Sequence, residues 1–320
     1  MPRKKILFIA PRSEPNLGRL LTAAQWCGAV GLYLDTNALP ALTRSFDPEI
    51  RNDSGYIVLN NDRHYSNDIS GVWTRGLGIS RPLGLASREN LVYAEWSTYL
   101  IALSTWTKRA VWANDFLALM TSANKINQLE LSASIGFRIP RTLITSCATE
   151  ARKFLDEEGE IIIKRLSPGN PSDNADRLLF AHQMNRADAW KFDSIGPSPV
   201  FLQAVAKKEI ELRTIVIGDR VFSAGFAASQ HKATSVDTRH WSSTNDSYFR
   251  FELDPLSASR AIALTRALGL TYGALDLVIN EDGLVTFLEL NNAGQWGWIE
   301  AATGYPISQT IIEELTRERC

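Results

Sequence analysis

Charged side chains interrupt apolar runs in the second half of this chain at spacings that chemistry could use. The densest group lies in residues 273–291, GALDLVINEDGLVTFLELN, where two apolar runs flank Asp282-Gly283. Asp-Gly between such runs predicts a hairpin with a two-residue loop. With Glu281 paired to Leu284, Asp276 falls opposite Glu289. Ala274, Asp276, Val278 and Asn280 then share a face with Asn291, Glu289, Phe287 and Val285, and Leu275, Leu277 and Ile279 share the other with Leu290, Leu288 and Thr286. Like charges directly opposite on a sheet repel, so the pair needs a cation between its members or water around them. A hard divalent cation held by Asp276 and Glu289, with a neutral oxygen from Asn291, meets that need. Mg²⁺ takes one or two carboxylates and fills its other positions with water and phosphate oxygens. The competing reading is a hairpin with one wet face. A three-residue turn would shift the register and separate the two carboxylates.

Other charged residues sit in similar settings. Lys164 interrupts EIIIKRL at 160–166, a strand apolar enough to be central, where an inward lysine needs an anionic partner, either a ligand or a structural ion pair. Lys125 falls in the first turns of a helix predicted over 121–135; helix starts favour anions, so a lysine there either reaches toward a phosphate or is simply solvated. IELRTIVI at 210–217 and RVFSAGF at 220–226 flank Gly218-Asp219 as a second hairpin. That hairpin puts Glu211 and Arg213 on the face of Ile215 and Ile217, as for a polar ligand lying on a sheet or for a surface salt bridge. In GVWTRGLG at 71–78, period-two spacing puts Trp73 and Arg75 on one face, where they would contact a peptide if exposed; a core Trp beside a surface Arg is the alternative. Arg239 lies in a long irregular connection, and SPGNPSDN at 167–174 is a polar loop of the kind that closes over ligands.

The elements that must carry these residues follow from periodicity. A strand at 5–10, a helix at 17–28 ended near Gly28 and a strand at 31–35 open an α/β unit. No Gly-x-Gly-x-x-Gly turn supports dinucleotide binding there. Residues 44–70 are polar and turn-rich. A long helix is predicted over 87–108, the helix 121–135 stops at Gly136, and a first domain boundary falls near 115. A strand follows at 199–205 and a helix at 256–268. Pro306 begins a last helix with Ile307, Ile311, Ile312 and Leu315 on one stripe.

Composition narrows the function class. With 45% hydrophobic and 22% charged residues the chain folds, and a formal net charge of -1 gives no footprint for nucleic acid or an anionic membrane. Cys27, Cys147 and Cys320 are odd in number and widely spaced, which argues against a disulfide framework or a zinc ribbon and suits a cytoplasmic protein. The apolar start at 6–10 is too short for a signal peptide and reads as a first strand, and no run reaches transmembrane length. There is no Walker A loop, His-Glu-x-x-His or Gly-x-Ser-x-Gly, so a protein nucleophile is not indicated. Two lysines, a Glu/Arg strand and an Asp/Glu/Asn hairpin are instead parts for positioning a nucleoside triphosphate and its metal.

In that order and spacing, Lys125, Lys164, Gln203, Glu211, Arg213, Asp276, Glu289 and Asn291 resemble the ATP-grasp ligases over about residues 115–315. KINQLELSASIGFRIPRTLI at 125–144, ELRTIVIG at 211–218, YGALD at 272–276 and FLELNNAGQWGWIE at 287–300 resemble the microviridin-type, or graspetide, peptide maturases. VWTR at 72–75 is similar to a Trp-x-Arg segment of that family; Gly76 stands where a second Arg is frequent, and Asn292 where many members have proline. The resemblance implies a mixed α/β (α+β) ATP-grasp fold: an amino-terminal α/β domain (1–115), a central subdomain (116–198) and a carboxy-terminal ATP-grasp domain (199–320), with ATP between the last two. It implies that an Asp or Glu side chain of a ribosomally made precursor peptide is phosphorylated by ATP and that a Ser/Thr hydroxyl or Lys amine displaces phosphate, giving a macrocyclic ester or amide. Lys125 and Lys164 would hold phosphates, Gln203 and Val205 would present adenine-binding hinge groups, and Glu211 would take the ribose. Arg213 and Arg239 would stabilise the acyl-phosphate, Asp276, Glu289 and Asn291 would hold Mg²⁺, and Trp73 and Arg75 would meet the peptide. A leader helix would dock near 165–190, and the enzyme would be a homodimer. The alternatives are a ligase adding amino acids to a carboxyl terminus, like the ribosomal-protein glutamate ligases, and an ATP-binding module without turnover.

Overall fold

The computed structural model describes residues 3–36, 56–59, 62–75, 87–107, 109–166, 182–196, 198–227 and 248–318. The opening α/β unit is present: β1 (Lys5–Ala10), α1 (Leu17–Trp26) and β2 (Val30–Asp35) are followed by a short hairpin, β3 (Tyr56–Leu59) and β4 (Asp62–Tyr65), and by β5 (Ile69–Thr74), α2 (Ser87–Trp106) and β6 (Val111–Trp112). Strands β2-β1-β5-β6 form a parallel sheet. β1 is its central strand and buries Ile6 to Ala10 completely, which is why it reads as an unbroken apolar run rather than an alternating one. The β3–β4 hairpin falls in the stretch expected to be turns; its strands have four residues each and β4 is largely exposed, so no alternation marks them.

The predicted helix 121–135 is two helices, α3 (Phe116–Ser122) and α4 (Lys125–Ile135). Asn124 separates them because its Oδ1 accepts the N–H groups of Ile126 at 2.9 Å and Asn127 at 3.2 Å, so capping wins over continuation. Gly136, at φ +99°, ends α4 in the left-handed region. Then come β7 (Thr142–Thr145), α5 (Ala148–Glu158), β8 (Glu160–Lys164), β9 (His182–Asn185), a 3₁₀ segment (Arg186–Ser194) and β10 (Val200–Ala204). These make an antiparallel sheet in the order β7-β10-β8-β9. β10, expected to open the carboxy-terminal domain, is hydrogen-bonded on both sides into the central sheet, which therefore runs on to Ala204.

The last sheet, ordered β13-β12-β11-β14-β15, is built from β11 (Ile210–Ile217), β12 (Arg220–Ala227), β13 (Tyr248–Phe251), β14 (Tyr272–Ile279) and β15 (Val285–Asn291). α6 (Pro255–Ala267) follows β13, and α7 (Gly297–Thr303) and α8 (Ile307–Leu315) follow β15. The β11–β12 hairpin has the expected two-residue loop, with Gly218 at φ +57°. One face of this sheet packs Leu212, Val216, Leu275, Leu277 and Leu290 on α6 and α4. The other packs Ile215, Ile217, Tyr272 and Ala274 together with Phe8, Leu20 and Trp73 of the first sheet and the α8 stripe. The amino-terminal and carboxy-terminal parts thus share one core, whereas the central sheet has its own around Phe154, Leu155, Phe192 and Leu202.

α8 lies so close to β5 that a Cβ on Gly71 would collide with the carbonyl oxygen of Leu315 and sit 2.7 Å from its Cβ. Gly71→Ala is expected to lower stability by about 1–3 kcal/mol through overpacking at a backbone that cannot retreat. Urea denaturation measures it; an unchanged midpoint would mean that α8 slides freely on the sheet.

Candidate active site

Asp276 does face Glu289, by a different route from the one expected. The turn spans three residues: Asn280 N–H bonds Leu284 O at 3.3 Å, Gly283 N–H bonds Asn280 O at 2.9 Å, and Gly283 adopts φ +74°. The first pairs are accordingly Ile279 with Val285, Val278 with Thr286 and Leu277 with Phe287, one step out of the expected register. A β-bulge between Leu277 and Asp276, with Leu288 as the extra residue, restores it, so that Asp276 meets Glu289, Leu275 meets Leu290 and Ala274 meets Asn291. Phe287, expected on the carboxylate face, is instead in the core with its ring 6.0 Å from that of Phe137.

The acidic pair is matched by cations on its flanks. Arg213 lies directly across the ladder from Asp276 on β11, and its Nη1 donates to Asp276 Oδ1 at 2.7 Å. Burial pushes the Arg213 guanidinium down, but the nearby Asp276, Tyr272 and Glu289 outweigh that and hold it raised, fully protonated. Lys125, the first residue of α4, pairs with Glu289 at 3.5 Å. Along β11 the face carrying Glu211 and Arg213 continues as Ile215 and Ile217, which the first sheet covers; the charged end lies beyond that cover.

α4 is set by Gln128, a residue not among the expected site residues. Gln128 is buried, and its side chain acts as a strand edge toward β15: Oε1 accepts the N–H of Leu290 at 2.9 Å while Nε2 donates to Leu290 O at 2.9 Å and to Ser122 O at 2.8 Å. Lys125 precedes Gln128 by three residues and so lies on the same helix face, over Glu289.

Elsewhere the expected residues form separate groups. Lys164 Nζ donates to Gln203 Oε1 at 2.8 Å, and Gln203 Nε2 donates to Thr142 Oγ1 at 3.0 Å. Gln203 is 1% exposed, its side chain held between Lys164 and Thr142. Val205 lies in the strand-free run 205–209 between the two sheets, and Glu211 pairs with Lys208. Trp73 is 3% exposed and packs edge-on to Trp296 with ring centroids 5.8 Å apart; it is a core residue and offers no face to a peptide. Arg75 turns inward, with Nε 3.0 Å from Glu14 Oε2. Arg239, residues 167–174 and much of the segment 165–190 lie outside the described residues.

Among the described residues no cluster of three His, Cys, Asp or Glu could hold a metal ion. A cation here would rest on Asp276, Glu289 and the side-chain oxygen of Asn291, two residues beyond Glu289 and hence on its face. That all-oxygen set fits Mg²⁺ and does not suit zinc.

No family model matches the chain. A "RiPP-associated ATP-grasp ligase" of Chryseobacterium gregarium, in complex with ADP and a leader and core peptide, superposes with a TM-score of 0.86 at 21% identity, covering 98% of this chain and 96% of that one. The chain has the ATP-grasp fold. The macrocyclase MdnC of Microcystis aeruginosa MRC, bound with precursor peptide MdnA, gives a TM-score of 0.82 at 21% identity over 98% of this chain and 99% of its own. In sequence, a "Probable alpha-L-glutamate ligase" of Trichodesmium erythraeum is 25% identical over 208 residues, 64% of this chain and 67% of that protein. The two cations and two carboxylates described above therefore lie on the last sheet of an ATP-grasp fold and on the helix docked at its edge.

Gln128→Leu in this ATP-grasp chain would strip the buried N–H and C=O of Leu290 of their partners, at a cost on the order of 2–4 kcal/mol, and let Lys125 drift from Glu289. Denaturation together with nucleotide calorimetry reads both effects. Stability and affinity both at the wild-type level would show that something else seats α4.

Proposed function

We propose that this chain is an ATP-dependent ligase that activates Asp or Glu side chains of a ribosomally made precursor peptide and closes macrocyclic esters or amides. The observation that carries the reading is the facing pair Asp276 and Glu289 flanked by Arg213 and Lys125. Phosphoryl transfer to a carboxylate brings anions together, so it calls for fixed positive charge more than for a covalent partner. A carboxylate oxygen of the peptide attacks the γ-phosphorus, the bond to the ADP oxygen breaks, and an acyl-phosphate forms. A Ser/Thr hydroxyl or Lys amine then attacks the acyl carbon, phosphate leaves and the nucleophile's proton is lost. Lys125 and Lys164 hold phosphate oxygens, Arg213 neutralises charge on the acyl-phosphate, and Arg239 joins it. Gln203 and Val205 would present adenine-binding hinge groups, the Gln203 side chain also holding Lys164, and Glu211 would take the ribose. Asp276, Glu289 and Asn291 would hold Mg²⁺, which would supply charge screening to the phosphate oxygens.

Support for a peptide substrate comes from the full-length likeness to proteins solved with leader, core or precursor peptides. The leader would dock on the central subdomain near 165–190 and the enzyme would be a homodimer. No described helix is long and apolar enough to cross a membrane, and the exposed, unpaired Cys27 and Cys147 suit a reducing cytoplasm. The likeness to glutamate ligases favours a second reading, addition of amino acids to a carboxyl terminus.

Incubated with ATP, Mg²⁺ and its precursor peptide of leader and core, the enzyme is expected to release ADP while the peptide loses the mass of one water per ring. A peptide that gains mass would establish the second reading, and unchanged peptide with intact ATP would exclude both. Glu289→Gln is expected to cut peptide-dependent ADP release by about 100-fold, the scale of losing one preorganised charge-stabilising group. A variant as active as wild type would remove Glu289 from the chemistry.

A further inference from the structure

The three residues after Asn291 present their carbonyls in succession, and each is held by a side chain from another element. Asn114 Nδ2 donates to Asn292 O at 2.9 Å, Arg75 Nη1 donates to Ala293 O, and Tyr272 Oη donates to Gly294 O at 2.7 Å. Asn114 is itself locked, since its Oδ1 accepts the N–H groups of Thr271 and Tyr272 at 3.0 Å and its Nδ2 also donates to Tyr272 O at 2.8 Å. The turn alone does not call for this clamp: Gly294 N–H reaches Asn291 O at 3.3 Å and Ala293 N–H reaches Asn291 Oδ1 at 3.0 Å without help.

What lies beneath the clamped backbone is the Arg213 guanidinium. A Cβ on Gly294 would collide with Arg213 Nη2 and with Ala274 Cβ, so this backbone sits directly against the guanidinium. Nη1 is fixed by Asp276, Nε is buried without a hydrogen-bond partner, and Nη2 is located by contact with Gly294. Arg75 comes from the end of the first sheet and is anchored there by Glu14, which is almost fully buried. A buried ion pair is a weak source of stability but a strong fixer of geometry where its fork is used at both ends. Here Nε takes Glu14 and Nη1 takes Ala293 O.

We infer that Arg75, anchored by Glu14, is a positioning residue: together with Asn114 and Tyr272 it fixes residues 292–294, and through them both the Arg213 guanidinium and the oxygen of Asn291. This replaces the expected peptide contact of Arg75 and rests on the ligase reading above. The test compares Arg75→Met, Arg75→Lys and Tyr272→Phe with wild type in precursor-dependent ADP release, with Mn²⁺ bound in the presence of ADP followed by electron paramagnetic resonance as a readout free of turnover. Arg75→Met and Tyr272→Phe are expected to lower kcat about tenfold or more, as a displaced catalytic group does. Their KM values for peptide and ATP should change by less than about twofold, because binding common to ground and transition states is untouched. The Mn²⁺ spectrum should change with Asn291, and Arg75→Lys, which keeps the charge but not the fork, should recover only part of the rate. A raised peptide KM at unchanged kcat in Arg75→Met would mean that Arg75 touches the peptide and would overturn the inference. So would wild-type kinetics and spectrum in both variants. If Arg75→Met fails to fold, Tyr272→Phe, which keeps the ring and removes one hydrogen bond, decides alone. A wild-type enzyme that releases no ADP would refute the ligase reading, while the Mn²⁺ spectra would still show whether the clamp shapes the metal end of the site.

Discussion

Two carboxylates held face to face set the terms for everything around them. Asp276 and Glu289 oppose each other on adjacent strands, and the repulsion has to be met wherever the chain folds. It is met twice over by protein cations, Arg213 on the neighbouring strand and Lys125 from a helix laid on the sheet edge. Both cations are partly enclosed, so the interaction is stronger than a solvent-exposed pair would provide. A multivalent ligand carrying its own cation can enter by exchanging partners: metal for lysine and arginine on the carboxylates, phosphate for the carboxylates on the cations.

Supporting structure is arranged to hold these four side chains at one end of a sheet whose other end is core. The alternation along β11 and β14 explains how. Ile215 and Ile217 stand opposite Ala274 and Tyr272 and are sealed by the first sheet, while Arg213 stands opposite Asp276, where that cover stops. Aromatic contacts of Trp296 with Trp73 and with Tyr272, at centroid distances of 5.8 and 5.5 Å, seal the boundary between the dry and charged regions.

Much of this was legible in the residues. The opening α/β unit, the β11–β12 hairpin, α6 and the α8 stripe were expected and are present, the helices because each buries one stripe and β1 because it is buried on both faces. The pairing of Asp276 with Glu289 was legible for a partly wrong reason: a turn one residue longer and a one-residue bulge at Leu288 cancel, and neither leaves a mark in apolar alternation. Hidden altogether were residues that act through backbone groups of distant segments. Gln128, Asn114 and Tyr272 reach carbonyls and amides that only tertiary structure brings near, and no local pattern announces such a partner. Trp73 misleads for a related reason, since the spacing that sets a strand face does not say which face is dry.

The shared core has a consequence for how the chain is made. Phe8, Leu20 and Trp73 pack in one cluster with Ile307, Ile311, Ile312 and Leu315. A nascent amino-terminal sheet emerging from the ribosome therefore carries an apolar flank that α1 and then β11 and β14 cover only in part until residues 307–315 have been translated. The central subdomain, with a core of its own, has no such wait and can fold while that flank is still open. During synthesis that flank, which later seals the apolar end of the last sheet, is therefore where a chaperone would be needed.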